Sequence, residues 1–406
     1  MSTTLLSNRI PPWLFLMGVV TAIGPLAVDM YLPSFPFIAQ DFGVPTSQIE
    51  RTLAGYLLGL SIAQLAYGPL TDRFGRKIPL VTGLSIFIVA SLMSCLASSA
   101  SELTFWRVIQ AFGSAAGMVI PRAVIRDNLE TRDAAKALSL IMLIMGVTPI
   151  LAPLLGGQIL KLGSWRGIFL VMAAGAALLL ASTLTTMRET LTKERRSPLA
   201  WKRIALSYAD LLRDKIFIGY ALAGGFGSAG MFSYIAGSPR TFIEIYGIDP
   251  SYFGLLFGAN AVSLIFSSQV SARLLSRHTP QTLLRRAQNC MLVAVLIGLL
   301  LALTGIITLP LLMTCLICYM ACQGFVNPNS AALALDRQGH RLGIASALMG
   351  SMQMLAGSLA GIGISVWHAD SALPLTGLLA LCGSLSWLCG RIAMHAVAKL
   401  PASTGV

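Results

Sequence analysis

The placement of charge along this chain constrains its fold more than any other feature. Windows without a single Asp, Glu, Lys or Arg cover 52–71, 78–101, 137–160, 167–187, 216–239, 250–272, 342–367 and 371–390. The window 287–335 is long enough for two more spans, with a break near "TGIITLP" (Thr304–Pro310). Two others, 10–40 and 103–121, each carry one charge, Asp29 and Arg107. About 20 apolar residues suffice for a helix to cross a bilayer, so the pattern predicts twelve crossings. Only 11% of the 406 residues are charged, against about 25% in an average soluble domain. A soluble fold is excluded, and an all-α integral membrane protein is expected. Only Arg9 could serve as a basic n-region and no small-residue cleavage site follows, so the first span is expected to be retained.

The net charge of +13 does not imply a nucleic-acid partner. Its basic residues lie in clusters between apolar spans rather than along one stripe. With both termini placed in the cytoplasm, inside segments hold twenty-four of the 29 lysines and arginines, including Arg73, Arg76, Lys77, Arg285, Arg286, Arg391 and Lys399. Outside loops keep Arg51, Lys161, Arg166 and Arg240, an asymmetry that selects this orientation. The longest polar stretch, Arg188–Lys215, separates six spans from six and carries eight basic residues. Residues 1–187 and 216–406 are therefore expected to form two six-helix bundles. Segment 188–215 is the expected cytoplasmic linker, with a short amphipathic helix on the membrane surface.

A weak internal repeat fits two equivalent halves. "FIAQDFGV" (Phe37–Val44) and "FIEIYGI" (Phe242–Ile248) end the first and seventh spans, and basic loops recur after the second and eighth. Parallel repeats of this kind occur in two-bundle transporters.

The seven cysteines all lie in apolar segments, which favours packing over a disulfide framework, and this includes the C-x-x-C of "CLICYMAC". His278, His340, His368 and His395 do not cluster, so no metal or other cofactor is expected. No G-x-x-x-x-G-K-[ST] phosphate loop occurs, which argues against ATP drive. Nor does any catalytic cluster appear, so the chain is not expected to be an enzyme.

Four stretches carry more specific chemistry. In "GPLTDRFGRKIPL" (Gly68–Leu80), Gly75 permits a tight turn and Gly68 a close helix approach. Asp72 there can face another helix's N-terminus or pair with Arg73, Arg76 or Lys77, latching one conformation. In "LTFWRVIQAFGSAAG" (Leu103–Gly117), Arg107, Gln110, Ser114 and Gly117 share one helical face. That face is a polar stripe into a bundle, or Arg107 snorkels towards the outer surface. In "TPILAPLLGG" (Thr148–Gly157), Pro149 and Pro153 kink the helix while Gly156 and Gly157 let a neighbour approach. In "AVDMYLPSFP" (Ala27–Pro36), Asp29 stands alone among apolar residues, at a cost of roughly 2.5–3.5 kcal/mol on insertion scales. That cost is offset by an aqueous cavity, a basic partner such as Arg107, or a bound proton; otherwise Asp29 caps a helix broken near Pro33.

The first stretch resembles the signature loop of the major facilitator superfamily, a likeness that extends over essentially the whole chain. The second and third resemble the fourth- and fifth-helix motifs of its twelve-span drug:proton antiporters. Ala111, Thr148 and Ala152 depart from glycines common there. "DMYLPSFPFI" is similar to the first helix of the bicyclomycin- and chloramphenicol-resistance subfamily. The resemblance implies two pseudo-symmetric six-helix bundles in a bacterial inner membrane, acting as a monomer without cofactor. Alternating access would exchange protons for amphiphilic antibiotics, with Asp29 as the coupling carboxylate and Glu244 as a secondary site. A potential of 100 mV is worth about 2.3 kcal/mol per charge, and a pH unit adds about 1.36 kcal/mol. Met30, Tyr31, Arg107, Gln110, Phe226, Met231, Phe232, Tyr234, Asn260 and Asn327 are the candidates for the substrate cavity, with core packing as the competing role for the apolar and amide side chains. Export of a nucleoside, amino acid or sugar by the same fold is the alternative function. A sensor, a membrane enzyme and a passive channel fit the repeat and motifs less well.

Overall fold

A computed structural model describes residues 11–192, 194, 196, 201–367, 369 and 371–398. Arg9, Lys193, Arg195, His368 and Lys399, which entered the charge and histidine patterns above, lie outside the described residues. Among the described residues every regular element is a helix, and twelve segments are long and apolar enough to cross a membrane. In a bilayer an α-helix satisfies its backbone N–H and C=O groups internally, which is why so apolar a chain takes this form. The expected interruption in the 287–335 window falls between α11 (Pro280–Leu303) and α12 (Leu309–Leu335), where Gly305 turns with φ of 72°.

The described residues fall into two compact units, one within 1–199 and 242–258, the other within 200–241 and 259–406. In the first unit the opening span is split into α1 (Pro12–Asp29), a 3-10 turn (Leu32–Ser34) and α2 (Phe35–Phe42). The split has a covalent cause. Pro33 and Pro36 remove the N–H groups that would have closed bonds to the carbonyls of Asp29 and Leu32. Next come α3 (Thr46–Phe74), α4 (Lys77–Leu96), α5 (Ala100–Asn128), α6 (Thr131–Leu162) and α7 (Arg166–Thr186). Helix α5 packs on both α3 and α4, while α1 lies against α5, α6 and α7.

In the second unit α8 (Trp201–Arg213) is short and amphipathic, and Leu206 and Leu212 are exposed on it. Asp214 then caps α9 (Lys215–Pro239) by accepting the N–H of Ile216 and Phe217. Helix α9 packs on α12, on α13 (Leu342–Val366) and on α14 (Leu373–Ala398). Beyond Pro239 the chain continues as a π-helical turn, Arg240–Ile245, before α10 (Pro250–Leu274), and residues 242–258 of this stretch belong to the first unit.

The two repeat segments close in the same way. Gly43 and Gly247 both take positive φ, 64° and 68°. Val44 N–H bonds back to Ala39 C=O and Ile248 N–H to Phe242 C=O, at 3.0 and 2.9 Å. The second ring is one residue longer, as it closes a π-helical turn.

Candidate functional site

The polar centre of the first unit is built around Arg107, which is completely buried on α5. Its Nη1 donates to Gln110 Oε1 one helical turn along, and its Nη2 donates to Ala27 C=O at 2.9 Å. The guanidinium lies between the rings of Tyr31 and Tyr56, 4.6 and 4.3 Å from their centroids. Gln110 carries the network onward by donating to Ser91 Oγ of α4 at 2.7 Å. The two tyrosines are fixed in turn: Tyr31 shares a hydrogen bond with Thr52, and Tyr56 one with Ser114 at 2.6 Å. Sequence spacing placed Arg107, Gln110 and Ser114 on one inward face, and they lie there. Snorkelling is ruled out for Arg107, because its head is sealed inside the unit rather than turned outward.

Asp29 ends α1 and is 4% exposed. Two expectations for it are corrected by the geometry. Its carboxylate does not pair with Arg107, whose Nη2 reaches the Ala27 backbone two residues earlier instead. Nor does it cap the broken helix: among the described residues no hydrogen bond or ion pair reaches this carboxylate. Arg107 Nε is likewise buried without an acceptor among them. The centre thus holds a cation solvated by ring faces and carbonyls, and near it in the chain an acid with no counter-group.

The next residue, Met30, connects this centre to α6. A Cβ on Gly156 would fall 2.1 Å from the Met30 carbonyl oxygen, so only glycine permits that backbone approach. Gly157 makes a looser approach to Pro250 C=O, with a hypothetical Cβ at 3.1 Å. Pro149 and Pro153 both lie inside the continuous helix α6.

At the far end of α3 the signature loop is a charged clasp. Arg76, 4% exposed at its side chain, donates Nη1 to Asp72 at 2.7 Å and Nε to Asp127, at the end of α5, at 2.8 Å. Glu189, just beyond α7, accepts the backbone N–H of Arg76 at 2.8 Å, Lys77 at 3.2 Å, and Thr190 and Leu191 at 3.0 Å each. Burial works against its charge, but the four N–H groups outweigh it and hold Glu189 below the usual carboxylate range. Lys77 Nζ donates to Leu184 C=O at 3.0 Å. Gly75 turns with φ of 87°. The pairing of Asp72 with an arginine occurs as expected, whereas the helix N-terminus is occupied by Glu189 and not by Asp72. Arg73 is exposed, and Gly68 has open space where a side chain would sit, so it marks no close helix approach.

Of the remaining candidates, Met30 and Tyr31 are buried in the first unit. In the second unit Phe232 and Tyr234 are buried, and Phe226 and Met231 half-buried. Phe232 packs on the backbone side of α13, its ring filling the space a Cβ on Gly357 would need. Asn260 Nδ2 lies 3.9 Å from Met313 Sδ, and Asn327 Oδ1 accepts from Gln353 at 3.2 Å. Tyr319 OH donates to Gly227 C=O at 2.7 Å, and Gln323 Nε2 donates to Ser228 Oγ at 3.2 Å. Glu244 is exposed in the π-helical turn and accepts from Thr46 Oγ1 at 2.5 Å. A residue that charge-free windows could not single out is Glu50, an acid only 1% exposed on α3. It sits beside Arg51 at a window edge, where charge is ordinarily a boundary. Among the described residues no group of His, Cys, Asp or Glu could hold a metal.

Comparison with known proteins accords with this architecture. Solved transporters share the fold at low identity. The bacterial homolog of the lysosomal transporter Spinster superposes with a TM-score of 0.73 at 14% identity, covering 97% of this chain and 98% of its own. The xylose transporter XylE from E. coli gives 0.71 at 15%, over 98% and 100%. Among sequences, the uncharacterized MFS-type transporter YdgK of Bacillus subtilis is 36% identical over 92% of this chain and 94% of its own length. The bicyclomycin resistance protein homolog of Haemophilus influenzae is 31% identical over 92% and 93%. The multidrug resistance protein MdtL of Klebsiella pneumoniae is 31% identical over 89% and 90%. The family model described as Major Facilitator Superfamily matches residues 17–361. With its twelve-span all-α fold and these near-full-length relatives, the chain is a transporter of the Major Facilitator Superfamily and not an enzyme.

Proposed function

We propose that this transporter exports amphiphilic antibiotics in exchange for protons. The observation that carries the reading is Asp29: a buried carboxylate with no donor and no counter-charge among the described residues is accommodated most easily with a proton on it. Its neighbour Met30 sets its backbone against Gly156 of α6, so a change in charge at residue 29 acts directly on the junction of two spans. The names of the bicyclomycin- and multidrug-resistance relatives support the substrate class.

In this reading 1–187 and 216–406 are the two bundles and 188–215 the linker. Both termini face the cytoplasm across a bacterial inner membrane, and the protein acts as a monomer. The Arg76 clasp holds one conformation, α6 seals against leakage, and half-buried Phe226 and Met231 offer adaptable surface to substrates. Uphill efflux of bicyclomycin or chloramphenicol from proteoliposomes under an imposed pH gradient tests the proposal. Asp29→Asn should lose at least tenfold in uphill efflux while passive counterflow persists. Equal loss or equal survival of both activities would remove Asp29 from the coupling role.

A further inference from the structure

A groove of about 580 Å³ runs between α11 and α12 of the second unit. Its wall is almost wholly apolar, and its lining includes Cys290 on α11 and Cys315, Cys318 and Cys322 on α12. The spacing of three and four brings those α12 cysteines onto a single helical face. Small side chains on both helices leave a trough where Leu or Phe would have closed it. Val293 and Ile297 on the same stretch are exposed, as expected of side chains that meet acyl chains.

One end of the trough is polar. Asn289 lines it and accepts Trp387 Nε1 at 2.9 Å and Arg391 Nη2 at 2.5 Å, both from α14. Arg391 Nη2 also lies 3.4 Å from Arg285 C=O, and its guanidinium rests over the Trp387 ring, 5.2 Å from the centroid. The head of Arg391 is therefore tethered at the lip of the trough, with Nε and Nη1 still able to donate. Arg285 and Arg286 stand exposed on the adjoining turn of α11. Among the described residues none of these three arginines has an acidic partner. Three cations clustered without a carboxylate call for an anion from elsewhere, and an apolar trough opening beside them says that the anion carries a chain.

We propose that this site binds an anionic phospholipid, with its phosphate on Arg285 and Arg391 and one acyl chain in the cysteine-lined trough. The combination matches the general chemistry of headgroup sites between membrane helices: basic side chains at the interface, a Trp beside them, and an apolar cleft below. Ordinary positive-inside arginines would reach freely into water, whereas Arg391 is tied down through both hydrogens of Nη2.

Native mass spectrometry of the purified protein with phosphatidylglycerol or phosphatidylcholine tests it. The native chain should retain one phosphatidylglycerol under conditions that strip phosphatidylcholine. Arg285→Gln, an exposed change that leaves the core intact, should weaken that retention several-fold, and Arg285→Gln with Arg391→Gln at least tenfold. Ala294→Phe, which fills the trough, should displace the lipid with the arginines in place. Arg277→Gln, on an exposed basic loop outside the trough, should change nothing. Equal retention of both lipids overturns the proposal, as does loss in Arg277→Gln matching the double variant. Full retention in Ala294→Phe, or displacement by millimolar inorganic phosphate, reduces the site to a bare anion contact and overturns it too.

Discussion

Glu189→Gln would test how the signature-loop clasp is held. The glutamate carboxylate accepts four backbone N–H groups, three on Oε1 and one on Oε2. A glutamine can keep its carbonyl oxygen at the first position, but its amide nitrogen then faces Lys77 N–H, donor against donor. One charge-assisted hydrogen bond is lost, a group of interactions worth roughly 1.5–3 kcal/mol each. The side chain is 28% exposed, and solvent screening trims that to about 1–2 kcal/mol. Such a loss raises local opening of the α3–α4 turn about 5- to 30-fold. Hydrogen exchange at Arg76 and Lys77 reads this directly. Because the folded-state value of Glu189 lies below the ordinary carboxylate range, its contribution is complete above that range. It fades as pH falls through the depressed value. Acidification should accelerate exchange at these amides in the native chain and leave the glutamine variant flat, after correction for intrinsic rates. Unchanged exchange in Glu189→Gln at neutral pH would refute the account of the cap.

Two further substitutions probe the buried centre. Gly156→Ala must move α6 by about 1 Å to relieve its contact with Met30 C=O, costing about 1–3 kcal/mol. Thermal unfolding and transport should both suffer, whereas Gly175→Ala, with open space around it, should leave both intact. Arg107→Lys retains the charge but cannot span Gln110, Ala27 and two ring faces at once. It should reduce transport at least tenfold and lower the melting temperature by several degrees, and near-native values for both would show that charge alone suffices there.

Much of this molecule is legible in its sequence, because membrane burial writes itself as a local pattern. Charge-free windows locate the spans, Pro33 locates the break after Asp29, and i, i+3 spacing joins Arg107 to Gln110. What escaped the sequence is long-range. Asp127 and Glu189 meet Arg76 across 51 and 113 residues, and no spacing rule reaches so far. Glu189 was hidden further by its place in a polar stretch that reads as linker. The pairing of Asp29 with Arg107 seemed natural because both were solitary charges. Backbone carbonyls and aromatic faces, which carry no charge in a sequence, took the guanidinium instead. Gly68 failed for a related reason: a glycine beside a helix end signals permission for close approach, and only packing decides whether a neighbour uses it.

The Arg76 clasp also has a consequence for synthesis. Its parts leave the ribosome in a fixed order: the α3–α4 turn first, Asp127 some fifty residues later, and Glu189 only after the six apolar spans of residues 1–187 have been made. Until then the start of α4 has no cap, and before Asp127 is made Arg76 has only its neighbour Asp72. The first half of the chain can therefore fasten this end only once its last helix is in place. A truncation between residues 187 and 189 should leave a bundle whose spans are inserted but whose clasp lacks the Glu189 cap, and so a better target for membrane proteases than the finished half.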